Sequence, residues 1–160
     1  MKRTLKVLLA IGALTLPMAY AQMPVTPAPD QQVLLVSESP QLETNKKLVY
    51  DFWREVFEGG HLDKADQYLT ESYIQHNPNV PTGRAAFVEF FGQFSEPKPI
   101  KDEIIAPLVS IVAERDMVIL SFAREHEDPN DASKTYTTTW FDMFRIEDGK
   151  IAEHWDPALK

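Results

Sequence analysis

From Leu48 onward the apolar residues Leu48, Val49, Phe52, Trp53, Val56 and Phe57 recur at intervals that gather them on one side of a helix. Gly59-Gly60 ends it. Asp63 can cap a second, short helix reaching Leu69, with Lys64 and Asp66 turned to solvent. Thr82 can cap a third, in which Phe87, Phe90, Phe91 and Phe94 form an aromatic wall. Beyond Pro99 the pattern becomes β-rich and predicts strands over residues 104–113, 117–126, 135–146 and 150–156. Turn residues separate them: Glu114-Arg115-Asp116, the 128–131 loop, and Asp148-Gly149, a strong two-residue hairpin signal. Pro107 has no amide proton, so its strand belongs at an edge or carries a bulge.

Helices followed by a strand meander predict an α+β domain. The expected architecture is a cone-shaped roll: three N-terminal helices packed on a strongly bent antiparallel sheet that encloses a pocket.

The chain has 160 residues, 44% of them apolar, which suits one globular core. It has no cysteine, excluding disulfides, thiolate metal sites and cysteine nucleophiles. A net charge of −8 repels phosphate backbones, so nucleic acid is not an expected partner.

Residues 1–21 combine Lys2, Arg3 and Lys6, an apolar run from Val7 to Leu16, and Ala19-Tyr20-Ala21. That order predicts a cleavable secretory signal processed after Ala21 and a periplasmic or secreted protein. The run is about half of the roughly 20 residues a bilayer span needs, so no membrane anchor is expected after cleavage. Residues 22–40, with Pro24, Pro27, Pro29 and Pro40, read as a flexible leader in which Val33 to Val36 can form a short strand. The domain proper is expected over residues 41–160.

The 135–146 strand separates into Tyr136, Thr138, Trp140, Asp142, Phe144 and Ile146 on one face and Thr135, Thr137, Thr139, Phe141, Met143 and Arg145 on the other. With the first set facing the helices, Asp142 is a carboxylate in an apolar cavity. Desolvation there raises its pKa and suits it to proton transfer. The alternative is a structural acid, paired with a surface cation or neutralised by a hydrogen bond.

Val118, Leu120, Phe122, Arg124 and His126 share a face of the preceding strand, giving an apolar end and a cationic mouth. His126 can orient an anionic oxygen or shuttle a proton, or it is a loop-proximal histidine without a task. In Tyr73-Ile74-Gln75-His76-Asn77-Pro78, the residues Gln75, His76 and Asn77 can bond a substrate oxygen or satisfy their own turn. Counting back from Asp148-Gly149 pairs Ile146 with Ile151 and Asp142 with Trp155. His154 and Asp156 then point away unless a bulge shifts the register by one. The four histidines are far apart in sequence without a helical His-x-x-x-His pair, and no Gly-rich phosphate loop occurs, so neither metal nor cofactor is expected.

The segments Asn45 to Phe52, Tyr73 to Pro78 and Trp140 to Asp156 resemble the SnoaL-like family. That family is named for a polyketide cyclase and has the nuclear transport factor 2-like, or ketosteroid-isomerase-like, fold. The resemblance implies a deep pocket, cofactor-free chemistry and dimerisation through the outer sheet face. In cyclase members an aspartate on the penultimate strand is general acid/base in an aldol closure, and Asp142 matches that position. A histidine on the neighbouring strand assists there, with His126 the nearest counterpart.

Two readings follow. One is a lyase or isomerase on a small hydrophobic carbonyl compound, with Asp142 moving the proton and His76 or His126 polarising the carbonyl. Trp53, Tyr73, Phe91, Trp140, Phe144 and Trp155 then enclose the substrate. The other is a non-catalytic domain that binds a hydrophobic small molecule or docks a partner, with Asp142 held by Arg or Lys and no imidazole nearby. The outward apolar residues Phe141 and Met143 suggest a homodimer.

Overall fold

The computed structural model describes residues 22–160. The signal-peptide expectation for residues 1–21 lies outside the described residues. Three α-helices, α1 (Pro40–Phe52), α2 (Ala65–Tyr68) and α3 (Arg84–Phe91), pack against a curved, unclosed five-stranded sheet. Its strands are β1 (Leu69–Gln75), β2 (Leu108–Glu114), β3 (Met117–Asp128), β4 (Asp131–Glu147) and β5 (Lys150–Trp155). The spatial order is β1-β5-β4-β3-β2, antiparallel except for the parallel β1–β5 pair. This is the expected α+β class. Among the described residues no helix is long and apolar enough to cross a membrane.

The first helix begins with Pro40 in its first turn, eight residues before the apolar pattern becomes visible. Its opening turns carry one apolar residue, Leu42, and bury a polar one, Asn45, so no apolar stripe announces them. Val49, Tyr50, Phe52, Trp53 and Val56 form its buried face. Its end widens into a π turn, Trp53–Glu58. Gly60 follows with φ +72°, and a Cβ there would stand 2.5 Å from the Glu96 carbonyl oxygen, so glycine is required by both space and conformation.

Two helix caps differ from expectation. Asp63 caps nothing; it belongs to a 3-10 turn, Leu62–Lys64, that leads into α2. Thr82 serves β1 instead of α3: its hydroxyl accepts from the Gln75 amide at 3.2 Å, while Gly83, at φ +100°, precedes the helix.

Strand β1 was not expected. A register shift between Leu69 and Ile74 breaks its alternation: Leu69 and Tyr73 are buried, while Glu71 between them is exposed. Pro107 immediately precedes β2, an edge strand with a register shift between Leu108 and Ser110. Asp148 (φ 50°) and Gly149 (φ 73°) make the expected tight turn between β4 and β5.

Part of the leader is hydrogen-bonded to the body of the domain. Val33 is in a 3-10 turn, Gln32–Leu34, and not in a strand. Buried Gln31 accepts from Tyr50 Oη at 2.9 Å and from the Ile104 amide at 3.0 Å, and donates to the Ile104 carbonyl at 2.9 Å. The Ala28 amide adds a bond to Leu108 O at 2.8 Å.

Candidate active site

A cavity of about 440 Å³ lies between the helices and the concave sheet face. Its walls are aromatic because β3 and β4 present Phe122, Trp140 and Phe144 inward while α1, the π turn after it and α3 supply Phe52, Trp53, Phe87 and Phe91. Trp53 stacks on Phe122 with ring centroids 4.8 Å apart, and Phe87 lies 4.6 Å from Phe91. The polar side chains on the wall are Gln75, Asn77, Arg124, Asp142, His154 and Asp156, joined by the phenol of Tyr73.

Asp142 is only 3% exposed. One carboxylate oxygen, Oδ1, lies 3.0 Å from His154 Nε2, and the other, Oδ2, is buried without a hydrogen-bond partner. Burial holds this carboxyl above the ordinary carboxylate range. The His154 imidazole opposes that rise and the Asp156 carboxylate adds to it; the Trp140 indole also lowers it, without reaching hydrogen-bond geometry to Oδ2.

The imidazole is set by a chain of bonds that begins at the backbone. The Asn77 amide must donate, and its acceptor is Gln75 Oε1 at 2.9 Å. That fixes the Gln75 amide, whose Nε2 donates to Tyr73 Oη at 3.1 Å. His154 Nδ1, 2.9 Å from the same Gln75 Oε1, is therefore the donor of that pair and carries a proton. A neutral His154 then presents a lone pair at Nε2 to Asp142. The 3.0 Å contact is satisfied by one proton shared between Asp142 and His154.

Asp156 completes the group, with Oδ2 accepting from Asn77 Nδ2 at 2.7 Å and Oδ1 from the Ala158 amide at 2.8 Å. Tyr73 is 1% exposed, and its phenol is held well above its usual range by burial and by the carboxylates of Asp156 and Asp142. It stays protonated, with its oxygen already accepting from Gln75.

Asp142, His154 and Asp156 each place one ligand atom within 4.8 Å of the others, a spacing that a cation can bridge. In the structure those side chains serve the hydrogen bonds just described. A metal would have to displace the Asp142–His154 and Gln75–His154 bonds.

The structure gathers Asp142, Trp53, Tyr73, Phe91, Trp140 and Phe144 on the cavity, together with Asn77, His154 and Asp156. Three sequence expectations are corrected. His76 lies outside it, its Nε2 3.0 Å from Glu153 Oε2 and its ring stacked on Trp155 at 4.6 Å. Trp155 is opposite Met143, not Asp142, and faces outward. His126 stands four residues beyond Phe122, roughly 13 Å along β3. There it bonds Thr138 Oγ1 at 2.8 Å and stacks on Tyr136, away from the cavity.

One bulge accounts for Trp155 and for His154. Ile146 pairs with Ile151 as counted, but Arg145 pairs with Glu153, leaving Ala152 as the extra residue. Beyond it every β5 side chain changes face. Gln75 was legible as a hydrogen-bonding residue, though its place beside His154 depends on β1.

The SnoaL-like domain family matches residues 49–154, and the chain belongs to it. No curated protein sequence matches. Among solved structures, an NTF2-like protein from Anabaena variabilis superposes with TM-score 0.52 at 18% identity, covering 78% of this chain and 95% of that one. A candidate polyketide cyclase from Acidithiobacillus ferrooxidans gives 0.51 at 17% identity, with 76% and 89% covered. An epoxide hydrolase of M. tuberculosis, of LEH-like type, gives 0.51 at 13% identity, with 74% and 81% covered. At these identities the likeness is one of fold.

Proposed function

We propose that this chain is a cofactor-independent lyase or isomerase that moves a proton at carbon next to the carbonyl of a small hydrophobic compound. The observation that carries this reading is the unpartnered, buried Oδ2 of Asp142 on an aromatic cavity, with Oδ1 held by His154. In the base form Asp142 takes the proton from carbon, and His154 stabilises the carboxylate through Oδ1. The Tyr73 hydroxyl donates to the carbonyl oxygen as negative charge develops there, a role for which its raised pKa keeps it protonated. Protonated Asp142 returns the proton at the same or a neighbouring carbon, or an aldol step intervenes before it does.

The binding-only reading expected Asp142 against Arg or Lys without an imidazole, and the neighbouring His154 supports catalysis instead. Export forms part of the proposal, resting on the pattern of residues 1–21. So does a homodimer: Phe141 is 51% and Val112 55% exposed, and Val112, Ile119, Met143 and Trp155 are cross-strand neighbours on the outward face.

The test is a panel of small aryl and alicyclic ketones incubated with the protein in D2O. The reading expects loss of the α-proton NMR signal above the buffer rate for members that bind. Binding without exchange across the panel overturns it.

A further inference from the structure

One arginine, Arg124, reaches the cavity wall from an exposed position at its rim, and its pairing is unlike that of the other described arginines. Arg54, Arg115 and Arg145 each have an acidic partner, and Arg84 donates to the Leu69 carbonyl. Arg124 instead lies with its guanidinium carbon 4.3 Å from the centre of the Trp140 ring, on the cavity wall. No carboxylate among the described residues is paired with it. Its neighbour Glu125 is turned to Thr135 on β4, bonded at 3.2 Å. A cation–π contact of this kind engages the guanidinium through the ring and leaves N–H donors free for a planar anion.

We infer that the substrate is an apolar compound bearing a carboxylate, which Arg124 binds at the cavity mouth while the reacting carbon sits at Asp142. The inference rests on the proposed proton-transfer reading and names its substrate class. Two features set the chemistry. First, a single guanidinium faces a cavity that also contains Asp142 and Asp156, so one negative charge is accommodated and a phosphate dianion is not. Second, Trp140 and Asp142 are two residues apart on one face of β4, placing the arginine and the acid on the order of 7 Å from each other along the strand. A carboxylate separated from its acidic C–H by one aromatic ring spans that distance, and the ring falls among the aromatic walls. Arg124 thus acts as a specificity residue, selecting acids over their neutral analogues.

The experiment compares naphthalene-2-carboxylate with the isosteric naphthalene-2-carboxamide by titration calorimetry at pH 8. Wild type is expected to bind the carboxylate at least about tenfold more tightly, the worth of a charge-assisted fork. In Arg124→Gln that preference disappears while carboxamide affinity stays within about twofold, and Arg124→Lys retains part of it. The inference is overturned if wild type does not distinguish the probes, if Arg124→Gln keeps the preference, or if neither probe binds at millimolar concentration. Binding is read without turnover, so a failure here is separable from a failure of the ketone-exchange assay, which probes the catalytic reading with neutral compounds.

Discussion

His154 Nε2 lies 3.0 Å from Asp142 Oδ1 because Ala152 is an extra residue in β5. Without that bulge the imidazole would be on the outer face of the sheet and Trp155 would take its place. The same shift brings Nδ1 to Gln75, so one backbone irregularity creates both bonds that hold the ring.

His154→Ala tests the pairing through pH. The imidazole is a cause that lowers the Asp142 pKa, acting against burial. Removing it leaves burial opposed only by the weaker influence of Trp140, so the pKa rises further and the acid limb of the rate–pH profile moves to higher pH. A profile measured for ketone exchange in both proteins checks this; an unmoved limb contradicts the assignment.

Tyr73→Phe removes the donor proposed for the carbonyl oxygen and keeps the ring that packs against Phe87. The rate of exchange should fall about 10²- to 10³-fold with little change in ligand affinity. Equal losses in both would make Tyr73 a binding residue only.

His76→Ala and His126→Ala should each leave kcat within about twofold. Their side chains bond Glu153 and Thr138 outside the cavity. Each should also change stability by less than about 1 kcal/mol, as exposed pairs do. A tenfold loss of kcat in either variant would restore that histidine to the site.

Gln31→Ala tests whether the leader belongs to the folded body. The substitution leaves the Tyr50 hydroxyl and both Ile104 backbone groups without their buried partner. A loss of about 2 kcal/mol is expected, visible as a melting temperature lower by roughly 5 °C. An unchanged melt would mean that this contact contributes nothing.

Much of the fold was legible because its signals are local: the stripe ending at Gly59, the alternation of β4, the turn at Asp148-Gly149. The face of β4 bearing Trp140, Asp142 and Phe144 followed from period two alone. The rest depended on long-range pairing. Strand β1 is recognisable through its parallel partner β5, and its own pattern is broken by an irregular register. The bulge at Ala152 lacks a glycine or proline to mark it, so counting from the turn assigned Trp155 to the wrong face. His126 is on the expected face of β3, but period two gives a direction and not a distance, and the hairpin carries it past the cavity.

Asp142→Asn keeps the shape of the buried side chain and removes its ability to take a proton. The native pKa of Asp142 is raised above its ordinary 3.8, so the native state holds the proton more tightly than the unfolded chain does. Its stabilising contribution is therefore complete below the unfolded pKa and is lost as pH rises through the native one. The amide avoids that loss, so the variant should fold and lose less stability than wild type as pH rises from 3.8 through that raised value. The decisive measurement is α-proton exchange of 2-tetralone in D2O, followed by NMR with wild type and Asp142→Asn at equal ligand occupancy. Exchange is expected from wild type and only the buffer rate from the folded variant; exchange at the wild-type rate by Asp142→Asn would mean that Asp142 is not the base.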